Sequence, residues 1–80
     1  MNLLYFGPLR DLTGRPTQEY RCTAAIPVKK LIEWVARENP EAAPLLQSCA
    51  ISINLEYVDD WDALAYPEDE VAFVPPVSAG

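Results

Sequence analysis

Few residues of this 80-residue chain can carry chemistry on their own. There is no histidine, so the side chain that most often serves as general base and as nitrogen ligand is missing. Cys22 and Cys49 lack CxxC spacing and read as small buried hydrophobes, not as a zinc site, a disulfide or a catalytic thiol. Asp60-Trp61-Asp62 opens like a calcium loop, but no glycine follows at the sixth position and no glutamate at the twelfth. A paired-carboxylate hydrolase needs a cleft, which a chain this short barely has the core to build. Gly7, Gly14 and Gly80 are too far apart to cradle a phosphate. What remains is the end of the chain, Pro75-Pro76-Val77-Ser78-Ala79-Gly80. Two prolines stop a strand ladder and stiffen the exit, and the small residues beyond them are expected to project into solvent. A terminal glycine leaves its α-carboxylate unhindered and able to enter a narrow channel. That carboxylate is inert until one oxygen becomes part of a leaving group. Adenylation by ATP supplies one, and sulfide attack then leaves a thiocarboxylate, a soft nucleophile on a thin arm.

Such an arm needs a rigid body. Leu3 to Phe6 is a short apolar strand that ends at Gly7-Pro8, and Leu9 to Gly14 reads as one helical turn. Thr17 to Cys22 resumes strand character, with Gln18, Tyr20 and Cys22 on one face. From Pro27 to Glu38, Val28, Leu31, Ile32, Val35 and Ala36 form an apolar stripe at helical period, with Pro27 at the start and Asn39-Pro40 as the stop. Lys29, Lys30, Glu33 and Arg37 fall on the wet side, where Glu33 and Arg37 can pair at i, i+4. Trp34, at the stripe's edge, is expected to pack. Glu41 to Leu46 reads as another short turn. Ala50 to Leu55 alternates, with Ile51, Ile53 and Leu55 one way and Ser52 and Asn54 the other, and Glu56 to Val58 continues or pairs with it. An acidic loop and a turn at Pro67-Glu68-Asp69-Glu70 lead to a last strand, Val71 to Val74. The first and last strands are apolar on both faces, as central strands covered on both sides would be. The pattern predicts an α+β β-grasp, a mixed five-stranded sheet packed against one main helix, with a split βαβ fold as the rival. Residues 1–75 form the body and 76–80 the tail.

Composition agrees with one small domain: half the residues are hydrophobic and 22% are charged. No apolar run approaches the ~20 residues of a membrane span, and the start lacks the pattern of a signal peptide, so a cytoplasmic protein without membrane contact is expected. The net charge of −6 disfavours nucleic acid, which is bound chiefly through cations. All six cations lie within residues 1–40, whereas residues 41–80 hold eight acids and no cation. That asymmetry suits either a docking face for a basic partner or a solvated acidic surface.

Three segments carry a resemblance: Leu4-Tyr5-Phe6-Gly7-Pro8-Leu9-Arg10-Asp11-Leu12-Thr13-Gly14, Ile53-Asn54-Leu55-Glu56-Tyr57-Val58, and Pro67-Glu68-Asp69-Glu70-Val71-Ala72-Phe73-Val74-Pro75-Pro76-Val77-Ser78. In type and spacing the chain resembles, over essentially its whole length, the MoaD-type sulfur carriers, the ubiquitin-like small subunits of molybdopterin synthase. The resemblance implies that Gly80 is adenylated with ATP by an E1-like activating enzyme and then converted from the acyl-AMP to a thiocarboxylate. The tail Pro75, Pro76, Val77, Ser78 and Ala79 carries it into the catalytic large subunit of a heterotetrameric synthase. Its sulfur goes to a cyclic pyranopterin monophosphate to build the dithiolene, two carriers acting in turn. The same resemblance implies no permanently bound cofactor, no catalysis by this subunit alone, and an apolar patch of Phe6, Tyr57 and Val74 that buries against the large subunit, while the missing histidine and the separated cysteines predict no metal. A ubiquitin-like modifier joined to lysines through Gly80, a thiamine-type sulfur carrier and an inert binding module are the alternatives. The family ends Gly-Gly and this chain Ala79-Gly80. The added Cβ narrows the tail and disfavours positive φ, so slower activation is expected.

Overall fold

The computed structural model describes residues 1–76. Strand β1 (Asn2–Tyr5) is followed by helix α1 (Pro8–Thr13), where Pro8 stands at the N-terminal position that needs no N–H. Gly14 ends α1 in the left-handed conformation at φ 76°, and its N–H donates to the Arg10 carbonyl. Strand β2 (Thr17–Glu19) turns back along β1. A two-residue strand β3 (Ile26–Pro27) leads into helix α2 (Val28–Glu38). A 3₁₀ turn (Pro40–Ala42), helix α3 (Ala43–Leu46) and strands β4 (Ala50–Ile53), β5 (Glu56–Val58), β6 (Leu64–Ala65) and β7 (Glu70–Val74) complete the order.

The main sheet runs β2-β1-β7-β4-β5, with β1 and β7 parallel at its centre and the other pairs antiparallel. Helix α2 lies on one face, burying Val28, Leu31, Ile32 and Val35. Against them the sheet presents Leu3 and Tyr5 from β1, Val71 and Phe73 from β7 and Ile51 from β4, all essentially without solvent contact. The Tyr5 and Phe73 rings stack tilted, 5.7 Å between centroids. The five-stranded mixed sheet on one main helix is the β-grasp expected, and the central placing of the first and last strands is as expected too. Trp34 packs edge-on against Tyr20 at 4.9 Å, as a packing residue should.

Four local expectations are corrected. The second strand ends at Glu19, not Cys22, because its partner β1 begins at Asn2; the Tyr20 N–H still reaches the Met1 carbonyl, and beyond that bond the chain leaves the sheet. Cys22 is therefore half-exposed, and only Cys49 is buried. Glu33 does not pair with Arg37, since its carboxylate lies 3.7 Å from Lys30. The fourth strand ends at Ile53, and Asn54 and Leu55 form a turn, so Leu55 leaves the core face on which alternation places it. The short pair β3–β6, with Ile26 opposite Ala65, has no sequence signature because two-residue strands show no period. No helix among the described residues is long and apolar enough to cross a membrane.

Candidate functional site

The face of the sheet opposite α2 is covered by no other element among the described residues, which corrects the expectation that the central strands are covered on both sides. Side chains alternate along a strand, so the residues between the core positions must face this side. Register aligns them: Leu4 lies opposite Ala72, Ala72 opposite Ser52, and Ser52 opposite Tyr57. The middle of that row, Ala72 and Ser52, is small, and the ends are large. The result is a groove of about 180 Å³ whose floor is Ala72 and Ser52 and whose walls include Leu4, Phe6, Leu55, Tyr57, Glu70 and Val74. The structure thus brings Phe6, Tyr57 and Val74 together at one groove. Phe6 is 42% exposed, Tyr57 68% and Leu55 86%, a cluster of large apolar side chains in water where a folded monomer normally keeps such residues scattered.

Leu4, Ser52, Leu55 and Ala72 were not among the residues expected at this site. The signal for the first, second and fourth is the strand phase opposite to Leu3, Ile51 and Phe73, which becomes useful only once the register is known. Leu55 carries a different signal. The β4–β5 loop has two residues, Asn54 at φ 51° and Leu55 at φ 72°, both positive as a type I′ turn requires. Asparagine tolerates that region, but leucine there costs about 1 kcal/mol or more relative to glycine.

A polar clamp holds the turn. Asn54 Nδ2 donates to Asp69 Oδ1 at 2.9 Å, Asn54 Oδ1 accepts from the Glu70 N–H at 2.9 Å, and the Asn54 N–H donates to the Glu70 carbonyl at 2.8 Å. The second Asp69 oxygen accepts from the Tyr66 N–H at 2.8 Å, and the Asp69 carbonyl from the Asn2 N–H at 3.0 Å. The hairpin tip is thereby tied to the starts of β7 and β1.

The chain leaves the body at the groove's edge. Val74 lines the groove, Pro75 is buried and Pro76 is exposed. Pro75 packs beside Gly7, where a Cβ would stand 3.5 Å from Pro75 Cγ. Pro75 therefore belongs to the body in its packing, although it opens the tail in sequence. Val77, Ser78, Ala79 and Gly80 lie outside the described residues.

Other titrating groups are occupied elsewhere. Burial pushes the Tyr5 phenol up to about 12, against a smaller downward pull from Arg15, and its hydroxyl donates to Gln18 Oε1 at 2.8 Å. Burial also pushes the Cys49 thiol up to about 11, and its Sγ lies 3.3 Å from the Leu45 carbonyl it donates to. In the acidic loop, Asp60 Oδ1 accepts the Asp62 N–H at 2.8 Å, and Asp62 pairs with Lys29 at 2.6 Å. That hydrogen bond and the Asp62 charge raise the Lys29 pKa. Among the described residues, no three Cys, Asp or Glu side chains gather in a way that could hold a metal ion.

The profile of the ThiS family matches residues 3–80. The chain is 36% identical over 80 residues to the molybdopterin synthase sulfur carrier subunit of Aspergillus niger, covering 95% of this chain and 89% of that protein. Its fold matches the putative molybdopterin converting factor, subunit 1, from Pyrococcus furiosus with a TM-score of 0.83 at 25% identity, covering 95% of each chain. A chain from the protein–protein complex of subunits 1 and 2 of the molybdopterin-converting factor from Helicobacter pylori 26695 shares the fold. There the TM-score is 0.68 at 22% identity, over 99% of this chain and 96% of that one.

Proposed function

The chain belongs to the ThiS family, and from that premise we propose that it is the sulfur carrier subunit of a molybdopterin synthase, with Gly80 as the residue that carries the sulfur. The observation that carries this reading is kinship along nearly the whole chain with a curated sulfur carrier subunit, at 36% identity. The groove supports it. The small body has an apolar groove on its open sheet face, beside the point where the tail departs.

The chemistry belongs to the tail. The Gly80 carboxylate attacks the α-phosphorus of ATP within an E1-like activating enzyme, forming an acyl–O–P bond while pyrophosphate leaves. Hydrosulfide adds to the acyl carbon, AMP departs with the electron pair of the C–O bond, and loss of the remaining S–H proton leaves the thiocarboxylate. The body then docks its groove, with Phe6, Tyr57 and Val74, on the catalytic large subunit and delivers the sulfur to a cyclic pyranopterin monophosphate. Hydrolysis restores the carboxylate. ATP and AMP are thus transient partners of Gly80 and no cofactor stays bound. The subunit donates sulfur and leaves catalysis to its partner.

The test is an intact-mass measurement after incubation with the activating enzyme, MgATP and hydrosulfide. A gain equal to the difference between one sulfur and one oxygen is expected, and removal of Gly80 should abolish it while the circular dichroism spectrum and melting temperature stay unchanged. An unchanged mass for the full chain overturns the reading. Isopeptide adducts to lysines would identify a protein modifier instead.

A further inference from the structure

Leu55 is doubly out of place for a residue whose task is folding. Its backbone sits at φ 72°, and 86% of its surface meets water, so it loses conformational energy and contributes little burial to this chain. Three hydrogen bonds of Asn54 hold the turn in that shape and tie it to Asp69 and Glu70. The side chain so presented stands on the groove wall with Phe6, Tyr57 and Val74, on the face from which the tail departs.

We propose that Leu55 is an anchoring contact of the docking face, inserted as an apolar knob into a pocket of the large subunit, and that Asn54 and Asp69 are its positioning residues. This rests on the sulfur carrier reading for the identity of the partner. Charge fixes the chemistry of the pocket's rim: Glu56, next to the knob, is exposed, Glu70 lines the groove, and among the described residues no cation lines it. The matching surface is an apolar pocket bordered by lysine or arginine. A strained turn suits this task because its cost is met during folding, and the knob arrives already oriented.

The test pairs melting curves with calorimetric titration of the large subunit from the same genome into the full chain and its variants. Leu55→Gly removes both the strain and the knob. It is expected to melt no lower than the parent and to bind about tenfold more weakly. Asn54→Gly keeps a residue that tolerates positive φ but removes the clamp, so it should weaken binding in the parent and add nothing in the Leu55→Gly background. That non-additivity separates positioning of Leu55 from a general structural effect. A parent that binds while Leu55→Gly binds equally well overturns the knob and leaves the sulfur carrier reading standing. A large drop in the Leu55→Gly melting temperature also overturns it, because Leu55 would then be a folding contact. Full affinity in Asn54→Gly, or additive losses in the double variant, overturns the positioning role. A parent that does not bind the large subunit at all overturns both readings.

Discussion

Burial dominates the acid–base chemistry of two side chains. Tyr5 and Cys49 both have protons held more tightly in the fold than their ordinary values of 10.0 and 9.0 allow, because desolvation disfavours the anions. The folded chain therefore keeps protons that the unfolded chain releases. The Cys49 contribution to stability is full below pH 9.0 and is lost as the pH rises toward about 11, and that of Tyr5 is lost between 10.0 and about 12. The melting temperature of the parent should fall across this range. Cys49→Ala should remove the fall that begins near pH 9.0, and Tyr5→Phe the fall that begins near 10.0. Tyr5→Phe also gives up the bond to Gln18, about 1 kcal/mol at neutral pH. A protonated, buried Cys49 should resist alkylation at neutral pH while half-exposed Cys22 reacts, which peptide mapping after iodoacetamide treatment checks. In the tail, Ala79→Gly is expected to speed single-turnover adenylation several-fold, about 1 kcal/mol, if the activating enzyme's channel holds residue 79 at positive φ. Equal rates mean that the channel tolerates the methyl group.

At the scale of elements, helix ends and turns decide where the chain bends. Gly14 stops α1 at φ 76°, and a Cβ there would meet nothing within 4 Å, so the whole penalty of Gly14→Ala is conformational. A loss of about 1 kcal/mol follows, which for a domain of this size lowers the melting temperature by roughly 4–8 °C. An unchanged melt means that the end of α1 relaxes without consequence for the sheet. The stripe of α2 behaves differently. Leu31 has no solvent contact, and Leu31→Ala should cost about 2–5 kcal/mol through lost transfer energy and a residual cavity. Chemical denaturation should show a lower midpoint without a changed slope. The exposed Lys29–Asp62 pair joins the start of α2 to the acidic loop, and Asp62→Asn should leave the melting temperature nearly unchanged, since solvent screens such pairs.

The whole molecule has two unequal sheet faces. One is closed by α2 and carries the core. The other is a groove with an acidic member, Glu70, in a chain whose second half holds eight acids and no cation. Tyr57 stands on the open face, 68% exposed and on a strand at the sheet's edge. Tyr57→Glu should therefore shift the melting temperature little while weakening association with the large subunit at least tenfold, about 1.4 kcal/mol. A collapsed melt with unchanged affinity of the folded fraction would assign Tyr57 to the core.

Local pattern was enough for much of this protein. The stripe from Val28 to Ala36 specifies its helix, because apolar residues at helical period have one face to bury, and Gly14 and Asn39-Pro40 mark ends by backbone chemistry that needs no partner. Resemblance singles out Phe6, Tyr57 and Val74, and the fold gathers them at one groove. Tertiary structure decided the rest. Alternation continues through Leu55 on paper, yet the chain reverses at Asn54, because the side-chain bonds to Asp69 and Glu70 that lock the turn reach 15 and 16 residues along the chain. The groove depends on register between strands far apart in sequence, which sets small Ala72 beside small Ser52 between Leu4 and Tyr57. A strand's own sequence states which residues share a face, but only the packing of α2 determines which face stays open.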